Sequence, residues 1–125
     1  MKPELHNGST LAFIGDAVLS LWIRTTLVEK GMTKSKELQT ASVKVVAAVH
    51  QAKTMQALLD EGILNEEELA IYHRGRNHKS SSKAKNADVI TYRQATGFEA
   101  LIGYWYLTHN TPRLEQLWDR IKTTL

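Results

Sequence analysis

The chain of 125 residues has no cysteine. That excludes disulfides and thiolate metal sites, and a cytoplasmic location is the expectation. No apolar run reaches the ~18–20 residues that a membrane span needs. The first residues, Met1 to Asn7, include Lys2, Pro3, Glu4 and His6 and do not read as a signal peptide. The five histidines, His6, His50, His73, His78 and His109, lack zinc-ligand spacing. Neither an internal repeat nor a convincing strand pair stands out. There is also little net charge, +3 over the chain. What charge there is has an uneven distribution. From His73 to Arg93 a single acid, Asp88, stands against Arg74, Arg76, Lys79, Lys83, Lys85 and Arg93, a local +5 that leaves the rest of the chain at −2. A local basic patch is the footprint of a polyanion partner, although charge alone fits a solvated loop equally well.

What is present is helical periodicity nearly throughout. The length fits one domain spanning 1–125. Asn7 to Thr10 offers a cap for a helix carrying Leu11, Ile14, Val18, Leu21 and Trp22, with Gly31 as its stop. A short helix around Leu38 follows, opened by Thr33 and Ser35. The next is expected from Val43 to Asp60, its apolar set Val45, Val49, Ala52, Met55 and Leu59 ended by Gly62. Asn65 and Glu68 have capping-box spacing ahead of Leu69 and Tyr72, and Arg74 to Asn77 ends that helix. Residues 78–86 are serine-rich and basic, a flexible loop by composition. Val89 to Leu107 returns to helical period, and Thr111-Pro112 reads as a cap before the last helix, with Leu114, Leu117, Trp118 and Ile121. The predicted class is an all-α bundle of about six helices.

Two acids sit where acids are costly. Asp16 lies within Leu11-Ala12-Phe13-Ile14-Gly15-Asp16-Ala17-Val18-Leu19, and Glu99 within Gly97-Phe98-Glu99-Ala100-Leu101-Ile102-Gly103. In such apolar helices each carboxylate is expected to be desolvated. Sharing a divalent cation would solve both problems, since Mg²⁺ prefers oxygen ligands and activates water toward a phosphodiester. Pairing of each acid with a buried Arg, His or backbone amide remains open at this point.

The same segments resemble the ribonuclease III family. Leu11 to Val18 is similar to its signature helix, LEFLGDAV, and Phe98 to Gly103 is similar to its second acidic motif, FEALIG. The resemblance is closer to the short Mini-III branch, through Arg74-Gly75-Arg76-Asn77, Lys85 to Val89 and Thr91 to Thr96. It implies an all-α endonuclease fold that forms a homodimer, with duplex RNA lying in a basic valley. It further implies Mg²⁺-dependent hydrolysis to 5′-phosphate and 3′-hydroxyl ends, with Mn²⁺ able to substitute. Asp16 and Glu99 would be the catalytic metal ligands. The implied substrate is the terminal stem of precursor 23S ribosomal RNA, with a ribosomal protein as a conceivable helper. That branch lacks a separate double-stranded-RNA-binding domain, and none is expected here.

Departures from the larger enzymes are specific. Their further carboxylates would fall at Ala12, at Thr96 and, upstream, at Ser9, none of which carries charge. A weakly held, water-rich Mg²⁺ is therefore the expectation. A catalytically inactive RNA-binding relative in ribosome assembly is the alternative. Arg74, Arg76, Asn77, Lys79, Lys83 and Lys85 are the expected phosphate and 2′-hydroxyl contacts, because duplex RNA is recognised by shape and backbone. Phe13 reads either as a plug into the partner subunit, as the resemblance implies, or as an ordinary core residue. Trp22, Trp105, Tyr106 and Trp118 read as core or dimer packing, since a duplex leaves no free base faces to stack on.

Overall fold

The computed structural model describes residues 1–77 and 87–125, without the side chains of 44–46 and 87–88. After a 3₁₀ turn at Pro3–Leu5 come α1 (Gly8–Glu29), α2 (Ser35–Val46), α3 (Ala48–Glu61), α4 (Glu66–Arg76), α5 (Ala87–Leu107) and α6 (Thr111–Lys122). No strand occurs among the described residues. The bundle is built around α5, which packs against α1, α3, α4 and α6, while α2 bridges α1 and α3. Leu11, Leu19, Ile23, Met55, Ile71, Phe98, Leu101, Ile102 and Leu117 form its fully enclosed centre.

Helix ends follow local chemistry. Asn7 caps α1, its side chain accepting from the Thr10 N–H at 2.8 Å, and the chain leaves α1 through Gly31 at φ +93°. Gly62 ends α3 in the left-handed region. Asn65 and Glu68 form the predicted capping box, each accepting from the other's backbone N–H at 2.8 and 2.9 Å.

Four expectations need correction. First, α2 is not short. It runs through the valine-rich segment to Val46, and the chain breaks at Ala47 (ψ 141°) before α3 starts at Ala48. The helix persists through the β-branched residues at 43, 45 and 46 despite their weak propensity and ends only after them, at Ala47. Second, α3 buries Gln51, Ala52, Met55 and Leu58, whereas Val49 is exposed. Third, Asn110 caps α6 by accepting from Arg113 N–H, which places Thr111 and Pro112 inside the first turn. Fourth, α1 is long and apolar enough, by length and composition, to cross a membrane. One part of its apolar content packs against α5, α2 and α4, and another, including Phe13, Leu21 and Val28, is exposed.

Glu68 has a second role that capping does not predict. It is 2% exposed, and its carboxylate receives Trp105 Nε1 at 2.8 Å and Arg113 Nε and Nη2 at 2.7 Å each. Arg113 also donates to the Ile63 carbonyl at 2.8 Å. Burial acts to raise the carboxyl's pKa, but the hydrogen bonds from Arg113, Asn65 and Trp105, and the charge of Arg113, hold it below the ordinary range. This network ties α4, α5 and α6 together. Arg113→Met is expected to cost about 3–5 kcal/mol in urea denaturation, because it strands a buried carboxylate. A loss below about 1 kcal/mol would show that water takes over the guanidinium's role.

Candidate active site

Helices α1 and α5 cross in direct backbone contact. A Cβ added to Gly15 would lie 1.8 Å from the Glu99 carbonyl oxygen, and one added to Gly103 would lie 2.0 Å from that of Leu11. Leu11 is four residues before Gly15 and Gly103 four residues after Glu99, so the helices run antiparallel through two touching points one turn apart. No other residue type permits backbones this close. The crossing sets Asp16, the neighbour of Gly15, against Glu99, and the two carboxyl side chains hydrogen-bond to each other.

Their environments differ. Glu99 is mostly enclosed, while Asp16 is exposed. The expected desolvation therefore holds for Glu99 and needs correction for Asp16, which lies next to the contact line, at its solvent rim. The Glu99 carboxyl is pushed up to about 8, first by burial and then by the hydrogen bond and charge of Asp16; a hydrogen bond from Gln51 opposes this. At neutral pH Glu99 thus keeps a proton that an ordinary glutamate would lose. The pair has the character of a site short of positive charge.

The neighbouring positions do not enlarge the acid cluster. Ala12 is buried, Thr96 donates its hydroxyl to the Tyr92 carbonyl at 3.0 Å, and Ser9 donates to Asn7. Among the described residues no group of three or more His, Cys, Asp or Glu side chains could hold a metal. Two carboxylates and the Gln51 amide are the donor set. Gln51 was not anticipated; its only signal in the sequence is a polar side chain inside the apolar period of α3.

The basic cluster is partly beside this site. Gly75 of α4 sits against Gly97 and Ala100 of α5, where an added Cβ would meet Gly97 Cα at 2.9 Å. The end of α4 therefore lies on the α5 turn that carries Glu99. Arg76 and Asn77 are exposed there, with Arg76 Nη1 3.4 Å from Asn77 Oδ1. Arg74 is engaged differently: its Nη1 donates to the Glu4 and His6 carbonyls at 2.7 and 2.9 Å, strapping the N-terminal turn to α4. Lys79, Lys83 and Lys85 lie outside the described residues, as does the predicted loop at 78–86. Tyr92 and Arg93 are exposed on the first turns of α5.

Phe13 is 78% exposed, which rules out the core reading within one subunit. With Ala17, Leu21, Arg24 and Val28 it forms an outward stripe along α1. Trp105 is core, Trp22 and Trp118 pair at 5.4 Å, and Tyr106 is half exposed. An apolar groove of about 680 Å³ beside Leu27, Met32, Thr40 and Leu125 contains neither acid.

Residues 9–110 match the Ribonuclease III domain family. The Mini-ribonuclease 3 of Streptococcus pneumoniae is 53% identical over 114 residues, covering 91% of this chain and 89% of that protein. The Mini-ribonuclease 3 of Staphylococcus aureus is 45% identical over 120 residues, with 96% and 90% covered. A crystal structure of a Fusobacterium nucleatum protein superposes with a TM-score of 0.83 at 29% identity, over 97% of this chain and 96% of that one.

Proposed function

Because the chain belongs to the ribonuclease III family, in its Mini-ribonuclease 3 branch, we propose that it is a homodimeric, Mg²⁺-dependent endoribonuclease that cuts double-stranded RNA. The observation that carries the reading is the Asp16–Glu99 pair made by the α1–α5 crossing. The donor set fits a hard cation: two carboxylates, one of them holding a proton for want of positive charge, beside a neutral amide. With so few protein ligands, Mg²⁺ would keep most of its waters, and Mn²⁺ could take its place. Bound there, the cation supplies Lewis acidity to the phosphoryl oxygens and acidifies water.

The protein's own residues do the rest. Glu99 gives up its proton as the cation is taken up. Asp16, on the solvent rim, presents its carboxylate toward the RNA backbone. Arg76 and Asn77 offer a cation and an amide to phosphates and 2′-hydroxyls, which suits a duplex recognised by shape. Arg74 steadies the end of α4 in the same region, and Lys79, Lys83 and Lys85 extend the charge. Water adds to phosphorus and the bond to the 3′-oxygen breaks, leaving 5′-phosphate and 3′-hydroxyl ends. The substrate is the terminal stem of precursor 23S ribosomal RNA in the cytoplasm, where a ribosomal protein on the stem could act as helper.

Incubation with a long duplex RNA tests this directly. Cutting is expected with Mg²⁺, none with chelator, and none of a single-stranded control, with 5′-phosphates on the fragments. A second reading, RNA binding without cleavage in ribosome assembly, has Ala12 and Thr96 in its favour. It predicts intact duplex that still shifts on a native gel.

A second copy of this chain would cover the α1 stripe. Phe13→Arg is expected to turn the dimer into a monomer in sedimentation at micromolar concentration, because it replaces the most exposed large apolar side chain of the stripe with a charge. Persistence of the dimer would move the interface elsewhere.

A further inference from the structure

Amides are costly to bury in a helix bundle unless they are hydrogen-bonded. Gln51 is 3% exposed, on the α3 face it shares with Ala52, Met55 and Leu58. Its side chain donates to the Glu99 carboxylate. A second amide contact fixes the same antiparallel register of α3 on α5: Gln94 Nε2 donates to Gln56 Oε1 at 2.9 Å. Gln56 lies five residues beyond Gln51, and Gln94 five residues before Glu99. Glu99 is thus gripped from two helices, by Asp16 on α1 and by Gln51 on α3.

A carboxylate on a long, three-torsion side chain is a poor metal ligand unless something fixes its orientation. Asp16 cannot do this alone, since like-charged carboxylates repel each other. The Gln51 amide is neutral and carries N–H donors, so it attracts the carboxylate that Asp16 repels. We infer that Gln51 is a positioning residue of the site, holding the Glu99 carboxylate turned toward Asp16 so that both can engage one divalent cation. The inference rests on the reading of the acid pair as a cation site.

Gln51→Met tests it, since methionine keeps the length and bulk and removes the donor. The probe is Mn²⁺, titrated by the electron paramagnetic resonance signal of the free ion, alongside melting in chelator and cleavage kinetics. The variant is expected to melt within a few degrees of wild type in chelator and to keep the wild-type KM for duplex RNA. Its Mn²⁺ dissociation constant should rise about tenfold or more, and kcat at fixed Mg²⁺ should fall about 10–100-fold. Wild-type Mn²⁺ affinity and kcat in Gln51→Met would overturn the role and leave Gln51 as core filling. Gln51→Glu decides the matter if the methionine variant does not fold. It puts a third carboxylate against Glu99, so it should melt lower than wild type in chelator and recover more on adding Mn²⁺; an unchanged response overturns the role. Asp16→Asn separates the two levels. If wild type binds no Mn²⁺, or Asp16→Asn binds it equally well, the cation reading itself fails, and the Gln51 role with it. If Asp16→Asn loses Mn²⁺ but Gln51→Met keeps it, only the Gln51 role fails.

Discussion

Asp16→Asn is expected to abolish cleavage, by about 10³-fold or more, and yet to make the metal-free protein more stable at pH 8. The two effects have opposite signs for one reason. A metal ligand lost at nearly constant shape removes several kcal/mol of transition-state stabilisation. The same carboxylate, with no cation present, presses on Glu99. The folded Glu99 carboxyl sits at about 8 against an ordinary 4.5. A folded value raised above the unfolded one gives stability that is complete below about 4.5 and is lost as pH rises through about 8. Over that window wild type in chelator should lose on the order of a few kcal/mol, and Mg²⁺ should restore it at the upper end. In Asp16→Asn the burial of Glu99 remains but the like charge is gone, so the decline should be shallower. Melting temperatures in chelator from pH 5 to 8.5 read this, with duplex binding as a check that the surface is intact. Identical pH profiles for the two proteins would sink the coupling, and loss of RNA binding together with cleavage would make Asp16 a structural residue.

Gly15→Ala is expected to be nearly as damaging as a core deletion, although it adds one methyl group. The new carbon would lie 1.8 Å from a backbone oxygen of α5. Backbone cannot rotate aside as a side chain can, so the helices must separate. Overpacking of this kind costs about 3 kcal/mol or more, a large share of a domain's ~5–15 kcal/mol. Urea denaturation measures the loss. Gly31→Ala is the control: Gly31 has positive φ and nothing within 4 Å, so only about 1–2 kcal/mol of left-handed strain is at stake. A Gly15→Ala protein as stable as wild type would mean that α1 and α5 do not touch as described.

Much of this is legible in the sequence, and what is not has a common physical cause. Caps and stops that depend on local chemistry were clear: Asn7, Gly31, the Asn65–Glu68 box and Gly62. So was the central helix, whose apolar residues surround it on most sides. The register of α3 was not, because the periodicity rewards Val49 and ignores Gln51. A polar residue enters a core only when a partner awaits it, and that partner, Glu99, lies 48 positions along the chain. The same holds for Glu68, whose capping role is local but whose Arg113 and Trp105 partners are remote. Asp16 and Glu99 stand out in the sequence as costly acids, yet which of them is enclosed depends on how α1 rolls against α5. Gly15 and Gly103 set that roll, and glycine carries no hydrophobic signal.

The indoles of this protein form an optical probe of one event. Trp22 of α1 pairs with Trp118 of α6, and Trp105 of α5 shares Glu68 with Arg113 of α6. All three tryptophans therefore change surroundings when α6 leaves the bundle. Intrinsic emission should follow that detachment as a single transition. None of the indoles contacts the acid pair through these interactions, so variants at Asp16, Glu99 or Gln51 can be sorted by colour: an unshifted spectrum with lost activity marks a defect in chemistry, and a red shift marks a defect in folding.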